Sequence, residues 1–323
     1  MSRAFVVREF GGPEVLKLEQ REVGAPGPGE LRVRHRAIGL NYSDVYNRTG
    51  LYKLPLPFVP GGEAAGEVTA VGDGVTDFKP GDRIGYIGPP GAYADERLLP
   101  AGRAFAIPDA IDDETAAAAM LKGMTVYYLI FETHRLAAGE STLWHAAAGG
   151  VGLIGTQWSK ALGATVYGTA GSDEKLDLAR AHGCDAVINY KTEDFPARIK
   201  ELTGGRGVDV VYDGVGKVTF DPSLDCLKPR GLMVSFGNAS GYVTIPNLGV
   251  LATKGSLYVS RPTAATYFAK TEDLRRAAAA LFDVIASGTV KITINQRYRL
   301  EDVPEAHRAL EARETSGSTI FTL

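Results

Sequence analysis

The sequence predicts an α/β protein of two domains, one a doubly wound parallel sheet and the other an antiparallel, barrel-like β domain. Three observations support this fold class. The chain has 323 residues, about twice the length of an average domain. Up to about Asp112, short alternating strands and Gly/Pro-rich turns follow one another. From Ser141 onward, strands and helices alternate at the spacing of βαβ units.

The composition excludes several other classes of protein. Apolar residues make up 45% and charged residues 23%, which is an ordinary globular mixture. The net charge of −3 comes with no run of Lys or Arg, so nucleic acid is not an expected partner. Cys184 and Cys226 form no disulfide or metal motif and suit a reducing compartment. With no signal peptide or membrane span visible, we expect a cytoplasmic protein.

The prediction of a β domain rests on the first part of the chain. Alternating apolar and polar residues predict strands in RAFVVREF, LRVRHRAIGL, GEAAGEVTAVG and DRIGYIG. The turns between them are rich in glycine and proline. The segment that begins DDETAAAAML is acidic and then rich in alanine, which is typical of a helix.

The prediction of a parallel sheet rests on the second part of the chain, from Ser141 onward. The predicted strands are TLWHAA, ATVYGT, DAVIN, GVDVVYDG, GLMVSFG and GSLYVS, and the predicted helices are 150–162, 173–182, 194–203 and 217–228. GSLYVS is expected to be an exposed edge strand that pairs with a second copy, giving a homodimer. A helix over 271–287, the strand VKITINQRYRL and the helix VPEAHRALEAR then return to the β domain. The predicted domains are 1–124 with 265–323, and 125–264.

The glycine motif GVGLIG at 150–155 directly follows a predicted strand and opens a predicted helix. In that context Gly150 makes the tight turn, Gly152 lets the backbone approach a pyrophosphate and Gly155 allows close helix packing. The helix N-terminus offers N–H groups to the phosphates. The alternative interpretation is a glycine turn with no ligand.

The strand that follows, ATVYGT, ends at Ala170 without the acidic residue that usually binds the ribose 2′-OH of NAD. Ser172 and Lys175 come next and suit a 2′-phosphate, so the sequence favours NADPH. The alternative is that Ser172 caps the following helix and Lys175 is a solvated charge. Asp173 and Glu174 fit the first turn of that helix.

The five histidines and two cysteines are scattered and show no ligand spacing, so we expect no metal. The polar and aromatic cluster after LRVRHRAIGL contains Asn41, Tyr46 and Tyr52. The tyrosine rings suit a planar substrate, and the Asn41 amide suits a carbonyl that becomes an oxyanion. The alternative is that the two tyrosines are packing residues.

Together these segments resemble the medium-chain dehydrogenase/reductase superfamily, and within it the zinc-free, ζ-crystallin-like quinone oxidoreductases. The resemblance covers the whole chain. Its most specific part is GESTL at 139–143, AAGGVG at 147–152, then Gln157 and Lys160; NYSDVYNRTGLY, MLKGMTVYYLI, VVYDGVG, GLMVSFGNASG and KGSLYVSRP are also similar. Zinc-dependent relatives carry Cys near Asn41 and Gly-His-Glu where this chain has Gly61-Gly62-Glu63.

The resemblance implies a GroES-like barrel, a Rossmann domain, and hydride transfer from NADPH to a quinone in a cleft between the two domains, with no metal. It implies catalytic or substrate-binding roles for Asn41, Tyr46, Tyr52 and Thr125. The cofactor contacts that it implies are Tyr128, Gly150, Val151, Gly152, Ser172, Lys175, Tyr190, Val215, Phe236, Gly237, Asn238, Val259, Ser260, Arg261 and Arg313.

Other functions stay open at this point. A 2-alkenal or enone reductase would share the fold and the cofactor and differ only in its pocket. An acyl-thioester enoyl reductase would need a groove for a phosphopantetheine arm, which the sequence does not reveal. A crystallin-like or RNA-binding role would leave the cofactor site intact, although the near-neutral charge argues against RNA.

Overall fold

The computed structural model describes residues 1–323, which divide into two compact units. The first unit comprises Met1–Met124, Leu274–Ala286 and Ile292–Leu323, and the second comprises Thr125–Asp273 and Ser287–Lys291. The chain returns to the first unit at Leu274, nine residues after the predicted 265. In between, Tyr267 and Phe268 pack on Tyr128 of the second unit.

The helices and strands are numbered in chain order. The strands are β1 Ser2–Val6, β2 Lys17–Arg21, β3 Glu30–Gly39, β4 Glu63–Val71, β5 Arg83–Ile87, β6 Glu96–Pro100, β7 Ala104–Ala106, β8 Ser141–Trp144, β9 Thr165–Ala170, β10 Ala186–Asn189, β11 Val208–Asp213, β12 Leu227–Ser235, β13 Tyr258–Ser260, β14 Ile294–Arg299 and β15 Ser318–Thr322. The helices are α1 Tyr42–Thr49, α2 Asp113–Tyr127, α3 Gly150–Ala161, α4 Asp173–Ala181, α5 Phe195–Leu202, α6 Phe220–Leu224, α7 Gly249–Thr253, α8 Ala264–Tyr267, α9 Thr271–Ala286 and α10 Val303–Glu311. None of these helices combines the length and the hydrophobicity that a membrane span requires.

The first unit is built on a seven-stranded sheet in the order β14-β15-β3-β4-β5-β7, with β6 also paired to β3. All of its pairs are antiparallel except β14 with β15. Strand β3 shows the predicted alternation, because Leu31, Val33 and His35 are buried while Arg34 and Arg36 are exposed. The β-rich prediction for this part of the chain is confirmed.

The second unit holds a six-stranded, fully parallel sheet in the order β10-β9-β8-β11-β12-β13. The order reverses direction between β8 and β11, which is the switch point of a doubly wound sheet. All six predicted strands are present, and β13 is an edge strand as predicted. The predicted helix 217–228 is wrong in length, since only Phe220–Leu224 is helical. Gly216, with φ 93°, turns the chain before it, and β12 begins at Leu227.

His35 lies inside the first unit with both ring nitrogens engaged. Its Nδ1 donates to the carbonyl of Ala94 at 2.6 Å, so its Nε2 accepts the hydroxyl of Tyr86 at 2.8 Å. The imidazole is therefore neutral, and burial lowers its pKa to about 4.

The low pKa of His35 predicts that the folded protein loses stability in acid. The unfolded chain binds a proton near the ordinary pKa of about 6.5, whereas the folded chain does so only near 4. Between these values the free energy of unfolding falls as the pH falls, by about 3 kcal/mol from this group. We expect His35→Asn to have a shallower pH dependence in urea titrations followed by circular dichroism. His134→Asn, at a half-buried histidine, serves as the control, and equal slopes for His35→Asn and wild type would contradict the prediction.

Candidate functional site

The segments predicted to bind a cofactor follow the carboxyl ends of successive strands in the second unit. The glycine turn follows β8, Ser172 follows β9, Tyr190 follows β10, Val215 follows β11 and Phe236 follows β12. Because the strands are parallel, all these ends lie along the same edge of the sheet. The fold therefore brings together residues that are far apart in the sequence.

The turn between β8 and α3 has no room for side chains at its critical positions. A Cβ at Gly152 would lie 2.4 Å from the carbonyl oxygen of Ala146, and one at Gly155 would lie 2.6 Å from the Trp144 ring. Ala146 itself adopts φ 51°. Helix α3 then begins at Gly150, with Gly149 as an N-cap that has no side chain. The first-turn N–H groups have no intrahelical partner, so this narrow backbone cradle fits a pyrophosphate.

The segment after β9 contains the residues predicted to distinguish NADPH from NADH. Ser172 occupies the N-cap position of α4 by its backbone angles, yet its side chain makes no capping hydrogen bond. The capping interpretation therefore does not account for its hydroxyl. Lys175 lies half-buried in the first turn of α4. The Tyr190 hydroxyl lies 2.6 Å from where a Cβ of Gly171 would be, so only glycine lets that ring reach the strand end.

A buried carboxylate fixes the turn after β11. Asp213 is fully buried, and its Oδ1 accepts the N–H groups of Val215 at 2.7 Å and Gly216 at 3.1 Å. Its Oδ2 accepts the hydroxyl of Thr219 at 2.8 Å. This structural role keeps the backbone at Val215 in a fixed position, and an acidic residue at a strand end is its only signal in the sequence.

The loops after β12 and β13 are tied to the same region. A Cβ at Gly237 would lie 2.3 Å from the Gly214 carbonyl oxygen, so these two loops pass in close contact. Arg261, which follows β13, donates from Nη1 to the carbonyl oxygen of Ser235 at 2.7 Å. Asn238 is buried, and Val259 and Ser260 are the last residues of β13.

The remaining predicted residues are placed as follows. Thr125 lies in the last turn of α2, and Tyr128 is the residue just after that helix, where it is buried and stacks on Tyr267 with ring centroids 4.6 Å apart. Arg313, just after α10, has φ 62° and lies in the first unit. Asn41, Tyr46 and Tyr52 also lie in the first unit.

Asn41 belongs to a buried polar cluster in the first unit. It is the N-cap of α1, and its Nδ2 donates to Glu63 Oε1 at 2.7 Å. Glu63 is fully buried and also accepts Lys122 Nζ at 2.8 Å and the N–H of Leu121 at 2.6 Å. A Cβ at Gly39 would lie 2.2 Å from Glu63 Oε1, so glycine is required there to admit the carboxylate. No group of three or more His, Cys, Asp or Glu residues in the chain could hold a metal ion.

The two predicted tyrosines form a pair. The rings of Tyr46 and Tyr52 meet edge to face with centroids 5.0 Å apart. Tyr46 is buried, whereas Tyr52 is 38% exposed. Tyr46 thus supports the ring of Tyr52, and Tyr52 presents the accessible aromatic surface.

A second buried network was not predicted. Asp44 Oδ2 accepts the N–H of Asn41 at 2.9 Å and the hydroxyl of Tyr93 at 3.0 Å. The Tyr93 oxygen also lies 3.1 Å from His307 Nε2. The pKa of Asp44 is raised to about 7, because burial and the nearby Glu63 raise it more than these hydrogen bonds and Lys122 lower it. Asp44 was visible in the polar cluster, but nothing in the sequence connects it to Tyr93 or His307.

Several known proteins are similar to this chain over its full length. The family model described as alcohol dehydrogenase GroES-like domain matches residues 27–109, and that described as zinc-binding dehydrogenase matches 150–281. The chain is 52% identical to a quinone oxidoreductase of Pseudomonas aeruginosa and 42% identical to a 2-haloacrylate reductase of a Burkholderia species, each over 99% of both chains. The solved structure of Escherichia coli quinone oxidoreductase complexed with NADPH is similar with a TM-score of 0.97 and 48% identity over 100% of both chains.

The crowding in the glycine turn predicts that alanine lowers the affinity for NADPH much more at position 152 than at position 149. In Gly152→Ala the new methyl would meet backbone at 2.4 Å, so the turn must open and the affinity for NADPH should fall at least about tenfold, a loss of about 1.4 kcal/mol. Gly149→Ala meets the same carbonyl only at 3.2 Å and is the matched control. Fluorescence titration with NADPH measures both, and equal affinities for the two variants would contradict the prediction.

Proposed function

This chain belongs to the zinc-free quinone oxidoreductase branch of the medium-chain dehydrogenase/reductase superfamily, and we propose that it catalyses hydride transfer from NADPH to a quinone. The observation that supports this most directly is the full-length similarity to a quinone oxidoreductase solved with NADPH. The site geometry agrees, because the carboxyl edge of the second unit fits a dinucleotide whose ribose carries a phosphate.

In this proposal the second unit binds and orients the cofactor. The backbone at Gly150, Val151 and Gly152 holds the pyrophosphate, while Ser172 and Lys175 hold the 2′-phosphate. Tyr190 lies beside the adenosine. The nicotinamide contacts are the loops after β11, β12 and β13, together with Thr125 near the end of α2 and Tyr128 just after it. NADPH supplies the hydride, and the protein supplies orientation and electrostatics.

The first unit supplies the substrate contacts. Asn41 Nδ2 carries two hydrogens, of which Glu63 accepts one, so the second is directed to the substrate oxygen on which negative charge develops. Lys122 and Glu63 hold the amide in this orientation. Tyr52 stacks on the planar substrate with Tyr46 behind it. Asn41 and Gly62 stand where zinc-dependent relatives carry ligands, so we propose a reaction without a metal.

A second candidate substrate class is the conjugated carbonyls. The 42% identity to a 2-haloacrylate reductase favours this class, since its substrate also accepts a hydride next to a carboxyl or carbonyl group. The fold and cofactor would be the same, and the two classes would differ in the fit at Tyr52 and Asn41.

We also propose a homodimer formed through β13. This strand is the edge of the parallel sheet, and its Tyr258 is 60% exposed. Edge strands with exposed apolar side chains are suited to pairing across a two-fold axis.

The buried free thiols of Cys184 and Cys226 support a cytoplasmic location.

A panel of quinones and enones assayed with NADPH tests the proposed function and the role of Tyr52 together. We expect the quinones to have the highest kcat/KM. Tyr52→Phe should cost less than Tyr52→Ala, because the first retains the stacking surface, worth about 0.5–1.5 kcal/mol. If none of the quinones supports NADPH oxidation, the proposed function is contradicted. An unchanged kcat/KM in Tyr52→Ala for every active acceptor would make Tyr52 a packing residue.

The cofactor preference has its own test. Lys175→Ala should raise KM for NADPH by about 10- to 150-fold, since a charge-assisted hydrogen bond contributes about 1.5–3 kcal/mol, and should leave KM for NADH nearly unchanged. Ala170 is buried, so an acid is better introduced as Ser172→Asp, which keeps a good N-cap and repels the phosphate. Steady-state kinetics with both cofactors measure these effects. A wild type that uses NADH as well as NADPH would contradict the assignment.

A further inference from the structure

One lysine of the second unit carries a charge that no carboxylate balances. Lys191 lies two residues after β10, and its side chain is exposed. Its backbone N–H donates to Asn189 Oδ1 at 3.1 Å, which fixes the turn in which it lies. Its ammonium group makes no ion pair and no hydrogen bond within the protein.

The missing ion pair is unexpected, because three acidic residues lie on the neighbouring segments, at Asp173, Glu174 and Glu193. Glu193 Oε1 instead accepts the N–H of Asn189 at 2.8 Å, and Asp173 Oδ1 accepts the side-chain amide of Asn189 at 3.3 Å. These two hydrogen bonds hold the turn after β10 against the first turn of α4. The Lys191 ammonium is directed elsewhere.

The side chain of Lys191 crosses the end of β9. Its Cε lies 3.2 Å from where a Cβ of Gly171 would be, and the hydroxyl oxygen of Tyr190 lies 2.6 Å from the same point. Because Nζ is one bond of about 1.5 Å beyond Cε, the ammonium lies within about 5 Å of that point. Gly171 directly follows β9 and precedes Ser172, the N-cap residue of α4. The charge of Lys191 is therefore close to the residues proposed to hold the 2′-phosphate.

The end of β9 is the place where a dinucleotide-binding domain meets the ribose 2′ position. An acidic residue at this strand end normally accepts the 2′-OH of NAD. Here β9 ends at the buried Ala170 and is followed by Gly171, so no carboxylate occupies the strand end. A cation above this glycine is placed to reach a phosphate group on the 2′ oxygen.

The same contacts explain why residue 171 is glycine. Its φ does not lie in the left-handed region, so its backbone conformation is open to other residues. A methyl group at this position would instead collide with the Tyr190 hydroxyl and crowd the Lys191 stem. Glycine therefore allows both side chains to lie over the end of the strand.

We propose that Lys191 is a second cation for the 2′-phosphate of NADPH and that it determines, together with Lys175, the preference for NADPH over NADH. This inference rests on the NADPH dependence of the proposed function and not on the acceptor that is reduced. Lys175 approaches the phosphate from α4, and Lys191 approaches it from the turn after β10. At neutral pH a phosphomonoester carries a charge of about −1.5 to −2, which two lysines balance and one does not.

Two variants test the charge of Lys191. Lys191→Met removes the charge and keeps an unbranched stem over Gly171. Lys191→Arg keeps a positive charge and is the conservative rescue. Because the side chain is exposed, neither substitution disturbs the core.

The second unit also supplies a matched control. Lys200 is another exposed lysine, in the last turn of α5, and its ammonium group makes no ion pair either. Lys200→Met therefore makes the same change of net charge and side chain away from the end of β9.

The experiment measures the Kd of 2′,5′-ADP and of 5′-AMP by isothermal titration calorimetry. These two nucleotides differ only in the 2′-phosphate, and neither transfers a hydride, so the readout does not depend on the acceptor. In Lys191→Met the Kd of 2′,5′-ADP should rise about tenfold, equivalent to about 1.4 kcal/mol, while that of 5′-AMP should stay as in wild type. Lys191→Arg and Lys200→Met should bind both nucleotides as wild type does.

The dependence on salt and the steady-state kinetics give two further readouts. The tenfold loss should shrink when the ionic strength rises from about 0.05 M to about 0.5 M, because salt screens exposed charges. With NADPH as the cofactor, Lys191→Met should raise KM and leave kcat unchanged, as expected for a contact that is equally strong in the ground state and in the transition state.

The outcomes separate this inference from the proposed function. If Lys191→Met binds 2′,5′-ADP as tightly as wild type, Lys191 is a solvated lysine and the inference is overturned, while quinone reduction is untouched. A loss that is equal for both nucleotides, or that Lys191→Arg does not restore, also overturns it. If wild type binds the two nucleotides equally well, the 2′-phosphate is not recognised, and the inference fails together with the NADPH preference. If Lys191→Met does not fold, Lys191→Gln takes its place in the same titrations.

Discussion

The first unit depends on one buried ion pair. Glu63 lies at the start of β4 and accepts hydrogen bonds from Lys122 and Leu121 on α2 and from Asn41 at the start of α1. A buried carboxylate is tolerated only when its charge is balanced and its oxygens are bonded, and here both conditions hold. Removing one partner would leave an uncompensated charge in the core. The same contacts that satisfy Glu63 therefore fix the relative positions of a strand and two helices, and with them the Asn41 amide.

The second unit reaches its organisation by a different constraint, the direction of its strands. A parallel sheet places every carboxyl end on the same edge, so short loops after β8, β9, β11 and β12 form a continuous backbone surface. Close backbone contact is possible because glycine occupies the crowded positions. A Cβ added at Gly152 or at Gly237 would lie within 2.4 Å of a carbonyl oxygen. The first unit thus relies on bonded side chains, and the second on backbone held by glycine and by the buried Asp213.

Much of this could be predicted because the signals are local. The alternation in β3, the glycine turn and the missing acid after β9 each involve neighbouring residues. Strand β2 was not predicted, because its residues are mostly exposed and show no apolar face. Strand β7 has only three residues. The contact between Tyr93 and His307 joins positions 214 residues apart, and no sequence pattern records a contact that only the fold creates.

Position 62 shows how the substitution of one ligand changes the surrounding chemistry. A histidine at this site in zinc-dependent relatives would occupy the space that Asp44 Oδ1 faces, and a carboxyl group beside a ligating imidazole normally orients it. With glycine there, Asp44 keeps its burial and its bonds to Asn41 and Tyr93 but loses a partner for one oxygen. A metal would stabilise a developing oxyanion by its positive charge, without any proton transfer. In the proposed site the second hydrogen of the Asn41 amide would take this part instead. The proposed function therefore relies on hydrogen bonding where zinc-dependent relatives use a Lewis acid.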